Sequence, residues 1–187
     1  MDRSAYGARS EEETSSDEET GSYDGGEEET IDPEELRLKG NEYFKQRDYE
    51  EAALHYTDAI NVQPSAVLYS NRAACYIQLR EFGKGLADGI KSLELDPDFV
   101  KGYYRAAQCL EAQGEFSSAR AKCVAGLERK PGNKEILRLK QRVEDCAARR
   151  QAARDHLSGE EYSKAMRVLC EEGLLGLNHS APIMALR

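Results

Sequence analysis

Between residues 33 and 133 the apolar positions recur at helical spacing, and the pattern repeats. Aligning "GNEYFKQRDYEEAALHYTDAINVQP" with "AACYIQLREFGKGLADGIKSLELDP" and "AAQCLEAQGEFSSARAKCVAGLERKP" brings three successive units into register. Each has an early small residue (Gly40, Ala73, Ala107), an aromatic nine residues later (Tyr49, Phe82, Phe116), a second small residue (Ala52, Gly85, Ala119) and a closing proline (Pro64, Pro97, Pro131). The pattern predicts two helices per unit joined by a short polar turn. The small residues mark where the helices cross closely, and Tyr43, Tyr56 and Ile60 fill the space between them. Proline ends each second helix, because it lacks a backbone donor and disfavours a helical predecessor.

Residues 134–156 keep helical periodicity with no breaker, which predicts one long helix. Its apolar stripe, Ile136, Leu137, Leu139 and Val143, is expected to cover the open end of the third unit. Beyond it, Tyr162 lies three residues before Ala165, the spacing of a degenerate fourth unit over about 146–179. The chain then runs into the short apolar stretch "APIMALR". The expected organisation is therefore 1–30, an acidic tail; 31–156, three units (33–65, 66–99 and 100–133) plus a capping helix; and 157–187, a degenerate fourth unit and tail.

Charge separates the first of these segments from the rest. Residues 1–35 contain 14 acidic and two basic residues, whereas residues 36–187 contain 21 acidic and 24 basic, so the acidity of the chain belongs to its first 35 residues. With Gly and Ser between its acids and few apolar groups, this tail cannot bury enough surface to offset the entropy of ordering and is expected to be disordered. It would repel phosphates, so nucleic acid is not an expected partner. Ser10, Ser15 and Ser16 each have an acid three residues on, the pattern acidophilic kinases prefer, and are candidate phosphorylation sites. Tethered directly before Arg37, the tail can compete for a nearby basic groove.

No window approaches the roughly 18 apolar residues of a membrane span, and there is no basic start followed by an apolar run. Membrane insertion is not expected, and the cytoplasm, with the nucleus as a second possibility, is the default compartment. Cys75, Cys109, Cys123, Cys146 and Cys170 form no CxxC pair and no zinc-like group with His55, His156 or His179, so reduced, mostly buried thiols are expected. No phosphate loop, nucleophile elbow or metal-ligand cluster is present, which argues against an enzyme and for a binding module without cofactors.

The 33- and 34-residue proline spacing, with two helices per unit, resembles the tetratricopeptide repeat. That resemblance implies an all-α, right-handed solenoid of antiparallel helix pairs with a C-terminal capping helix, in which the first helix of each pair lines the concave face. On that face lie Arg37 and Asn41 of "LRLKGN", Asn71 of "YSNRAACY", and Lys101 and Arg105 of "KGYYR". These five resemble the two-carboxylate clamp of tetratricopeptide co-chaperones, a family that includes the Hsp organising protein, tetratricopeptide J-proteins and the tetratricopeptide domain of a protein phosphatase. In that family the positions hold the free C-terminal Asp of chaperone tails ending Glu-Glu-Val-Asp. Arg37 stands where Lys is most common; it keeps the charge and can bind a carboxylate at two points.

The resemblance implies an adaptor for the C-terminal tails of the seventy- and ninety-kilodalton heat-shock chaperones, with Phe44, Ala74, Ile77 and Gln108 contacting residues upstream of the terminal Asp. The alternative is a regulatory or scaffolding part of a larger protein, such as a phosphatase or J-protein. Arg72, next to Asn71, is expected to be structural or solvated because it points away from the face that Asn71 shares with Ala74.

Overall fold

Asp32 opens the first helix. Its carboxylate accepts the backbone N–H of Glu34 at 2.9 Å, and Pro33, whose fixed φ suits a first helical position, follows it. The computed structural model describes residues 32–158 and residue 164. Among them are seven helices and no strand: α1 (Pro33–Lys45), α2 (Tyr49–Val62), α3 (Ala66–Gln78), α4 (Phe82–Leu95), α5 (Val100–Ala112), α6 (Phe116–Arg129) and α7 (Lys134–Ser158). Ser65 caps α3 and Asn133 caps α7 in the same way as Asp32 caps α1. The acidic tail, its three candidate phosphorylation sites, Cys170 and the sequence after Ser158 apart from Lys164 lie outside the described residues.

The three repeated aromatics, Tyr49, Phe82 and Phe116, are the first residues of α2, α4 and α6. Just before each pair's second helix the chain turns through the left-handed region, at Arg47 (φ 66°), Arg80 (φ 61°) and Gly114 (φ 77°). The turns are closed alike: Asp48 N–H reaches Tyr43 O, Glu81 N–H reaches Tyr76 O, and Glu115 N–H reaches Leu110 O, the long bond of a Schellman ending. Connections this short oblige α1/α2, α3/α4 and α5/α6 to pack as antiparallel pairs.

The small residues are required by the helix crossings. A Cβ at position 40 would sit 2.8 Å from a ring carbon of Tyr56, and one at position 85 would sit 2.9 Å from Cys109 Sγ. Ala52, Ala73, Ala107 and Ala119 are fully buried. Successive pairs stack through α2 on α3 and α4 on α5, and the first helices α3 and α5 also touch, as do α5 and α7. At the joint between the second and third pairs the Pro97 carbonyl accepts from Tyr103 Oη (3.0 Å) and from Arg129 Nε (2.7 Å).

Helix α7 lies on α5 and α6 and buries Ile136, Leu139, Val143, Cys146 and Ala153. Leu137, expected in this stripe, is instead 45 % exposed. It sits about 100° around the helix from Ile136, and the buried face follows three- and four-residue steps that pass it by. The helix runs unbroken through residue 146, where a fourth unit was expected to begin; the remainder of that unit lies outside the described residues. Cys75, Cys109, Cys123 and Cys146 are buried free thiols. No helix of the described residues is long and apolar enough to cross a membrane.

Candidate functional site

The five candidate clamp residues occupy the first helices of the three pairs: Arg37 and Asn41 on α1, Asn71 on α3, Lys101 and Arg105 on α5. Arg37 and Asn41 are one turn apart, as are Lys101 and Arg105, so each couple shares a helix face.

Arg37 donates through Nε to Glu34 Oε2 at 2.7 Å, and its NH2 contacts Glu34 Oε1. This ion pair raises the Arg37 pKa and lowers that of Glu34. The Arg37 guanidinium is thus occupied by a neighbour that an incoming carboxylate can displace. Asn41 is held from below: the buried Tyr56 hydroxyl donates to its Oδ1 at 2.7 Å. Burial pushes the Tyr56 phenol well up, which keeps it protonated and able to donate.

Lys101 is exposed, while Arg105 is set deeper. One terminal nitrogen of Arg105 donates to Gln108 Oε1 at 3.0 Å, the guanidinium lies 5.5 Å from the centre of the Tyr104 ring, and Gln108 Nε2 donates to Tyr104 Oη at 3.3 Å. Arg105 Nε is shielded from solvent and has no partner. Burial lowers the Arg105 pKa, an effect opposed by Tyr104, Glu135, Cys109 and Cys75.

Of the four residues expected along the groove, Ala74 is buried and Ile77 half-buried. Phe44 packs edge-on against Tyr49, ring centres 5.3 Å apart, and so is also part of the α1–α2 core. Gln108 is engaged in holding Arg105.

Arg72 points into the fold, as a structural residue. It pairs with Asp88 on α4 at two points, donates to Thr57 Oγ1 on α2 at 2.9 Å, and lies over the rings of Tyr69 and Tyr76. Sequence reasoning did not anticipate its partner Asp88, nor the Tyr56–Asn41 bond. Both join residues 15 or 16 apart across a helix pair, a separation shared by many other positions, so spacing alone could not have singled them out.

The sequence model of the tetratricopeptide repeat matches residues 38–65. The yeast Sti1 structure described as "TPR2B-domain:pHsp70-complex" shares 36 % identity and superposes with a TM-score of 0.58, over 60 % of this chain and 95 % of that one. The chain belongs to the tetratricopeptide-repeat family. A second tetratricopeptide structure, "First TPR of Spaghetti (RPAP3) bound to HSP90 peptide SRMEEVD", is 30 % identical with a TM-score of 0.60, over 62 % of this chain and 93 % of that one. Among curated relatives, the Hsp70-Hsp90 organizing protein of Triticum aestivum is 47 % identical over 105 residues, which is 56 % of this chain and 18 % of that protein. The chain covers only 14–19 % of the length of several such relatives, so the tetratricopeptide region is what it shares with them.

Proposed function

We propose that α1, α3 and α5 form a carboxylate clamp for the free C-terminus of an acidic peptide, the Glu-Glu-Val-Asp tail of cytosolic heat-shock chaperones, and that the chain is a non-enzymatic co-chaperone adaptor. A terminal Asp carries two carboxylates a few ångströms apart. Arg37 and Asn41 at one edge and Lys101 and Arg105 at the other supply donors for both. Asn71 donates its amide to a carboxylate oxygen without placing another cation between cations.

The observation that carries this reading is Arg105. A guanidinium sunk below the surface, steadied by Gln108 and Tyr104 and with its Nε unpartnered, has donor capacity beyond what the fold uses. The Hsp70 and Hsp90 ligands of the yeast Sti1 and Spaghetti tetratricopeptide domains support the identity of the ligand. Four buried free thiols suit a reducing compartment, the cytosol or nucleus.

Charge-assisted hydrogen bonds contribute roughly 1.5–3 kcal/mol each, and ordering a flexible tail offsets part of that. A micromolar Kd, about −8 kcal/mol, is expected. The test is calorimetric titration with the pentapeptide Met-Glu-Glu-Val-Asp as free acid and as C-terminal amide. The acid binds and the amide binds far more weakly; Arg105→Ala and Lys101→Ala each remove roughly 2–5 kcal/mol from acid binding without unfolding the chain. Equal affinity for acid and amide in the wild-type protein would refute the clamp.

A further inference from the structure

The geometry points to Tyr56 as a positioning residue that makes the α1 edge of the groove selective for carboxylates. The inference rests on the clamp reading and concerns Asn41, one of the two clamp residues, with Asn71, whose head group is ambivalent. An Asn amide presents an acceptor at one end and donors at the other, and a freely rotating Asn offers either to a ligand. Here Oδ1 of Asn41 is taken by the Tyr56 hydroxyl at 2.7 Å. Nδ2 is left facing away from that bond with only donors to offer. A carboxylate, which only accepts, is matched through either oxygen; a primary amide is matched through its single oxygen alone and mismatched through its NH2, and an ammonium brings donors against donors.

The reverse arrangement, with Nδ2 donating to the phenol oxygen, would leave a buried hydroxyl hydrogen without an acceptor, and such unmet donors are costly. Tyr56 is 2 % exposed, so water cannot readily take that hydrogen. The ring reaches Asn41 because residue 40 has no side chain: a Cβ there would stand 2.8–3.1 Å from three ring carbons. Gly40, Asn41 and Tyr56 therefore form one device. It belongs to the first pair alone, since the corresponding trios are Ala73, Ala74, Gly89 and Ala107, Gln108, Cys123.

The test is Tyr56→Phe, which keeps the ring and removes the hydroxyl, titrated with the same pentapeptide as acid and as amide. Acid affinity is expected to fall about five- to tenfold, the scale of one hydrogen bond, while amide affinity is unchanged, so the acid-to-amide ratio shrinks. In an Asn41→Ala background the same substitution is expected to change neither. An unaltered ratio, an equal loss with both peptides, or a loss that persists without Asn41 would overturn the inference while leaving the clamp standing. A wild-type protein that does not distinguish acid from amide would overturn both. A measurement on the wild-type protein covers the case in which the variant does not fold. Both Nδ2 protons of Asn41 are expected to exchange readily with solvent in the free protein and to shift when acid peptide is added. An Nδ2 proton protected in the free protein would place the amide the other way round and sink the proposal.

Discussion

Arg72 on α3 and Asp88 on α4 meet through two parallel hydrogen bonds, Nε to Oδ2 and NH2 to Oδ1, each 2.8 Å long. Their side chains are 16 % and 8 % exposed, so this is an ion pair inside the fold. A third bond from the same guanidinium to Thr57 makes Arg72 the joint of three helices.

Removing either partner leaves the other as an uncompensated charge in a dry setting. Arg72→Ala and Asp88→Ala are each expected to cost about 3–5 kcal/mol in urea unfolding, and replacing both with apolar residues of similar volume to cost less than either. A double variant weaker than both single variants would contradict this.

The left-handed turns predict a gain. Arg47 and Arg80 hold positive φ with a side chain attached, whereas the third turn uses Gly114. Arg47→Gly and Arg80→Gly are expected to stabilise the fold by about 1 kcal/mol each, and Gly114→Ala to destabilise it by a similar amount. Thermal midpoints of the three variants check the sign.

Helix α7 covers the third pair. Ile136, Leu139 and Val143 are buried, and burial of such a side chain contributes about 1.5–3 kcal/mol. A chain ending at Asn133 is expected to melt well below one ending at Ser158. Equal midpoints would mean that α7 is not a cap.

Glu34 occupies the Arg37 guanidinium and adds negative charge where the proposed ligand brings its own. Glu34→Gln is expected to tighten binding of the acid peptide about two- to threefold, the modest effect of an exposed pair, with the gain fading at high salt. Titrations at low and high ionic strength read both effects.

The buried thiols predict a pH dependence. Burial pushes Cys75 and Cys109 up to about 12 and Cys123 to about 11. In the unfolded chain these groups ionise near pH 9, so between that pH and their folded values the unfolded state holds fewer protons. Their contribution to stability is whole below about pH 9 and declines as pH rises toward 12. Urea midpoints from pH 8 to 11 are expected to fall, and less steeply for Cys109→Ala. Alkylation of the native protein at pH 8 is expected to leave Cys75, Cys109 and Cys123 unmodified, as read by peptide mass mapping.

Helix starts, turn positions and the stacking order could be read from the sequence because they depend on local chemistry repeated three times. Tyr49, Phe82 and Phe116 each open a helix, and Pro64, Pro97 and Pro131 each follow one. The first-helix placement of Arg37, Asn41, Asn71, Lys101 and Arg105 could be read for the same reason, since the repeat register sets it. What escaped were contacts that occur once. Asn41 with Tyr56, Arg72 with Asp88 and Arg105 with Gln108 each depend on how one side chain lies against a particular neighbour, and no periodicity encodes that. Leu137 shows the reverse error, an apolar residue adjacent to a buried one but on a different helix face.

The two bonds that end on the Pro97 carbonyl have a mechanical consequence. Tyr103 from α5 and Arg129 from α6 both pull on the single link between α4 and α5, and the Arg129 guanidinium lies 4.8 Å from the centre of the Tyr103 ring, bracing the same corner. Bending there would break both bonds at once, which resists hinging of the third pair on that link. In the proposed clamp, Asn71 on the second pair and Lys101 and Arg105 on the third are then expected to keep their spacing with or without a ligand. For the proposed ligand the groove is then expected to stand near its working width beforehand, with the speed of capture depending on collision rather than on closing.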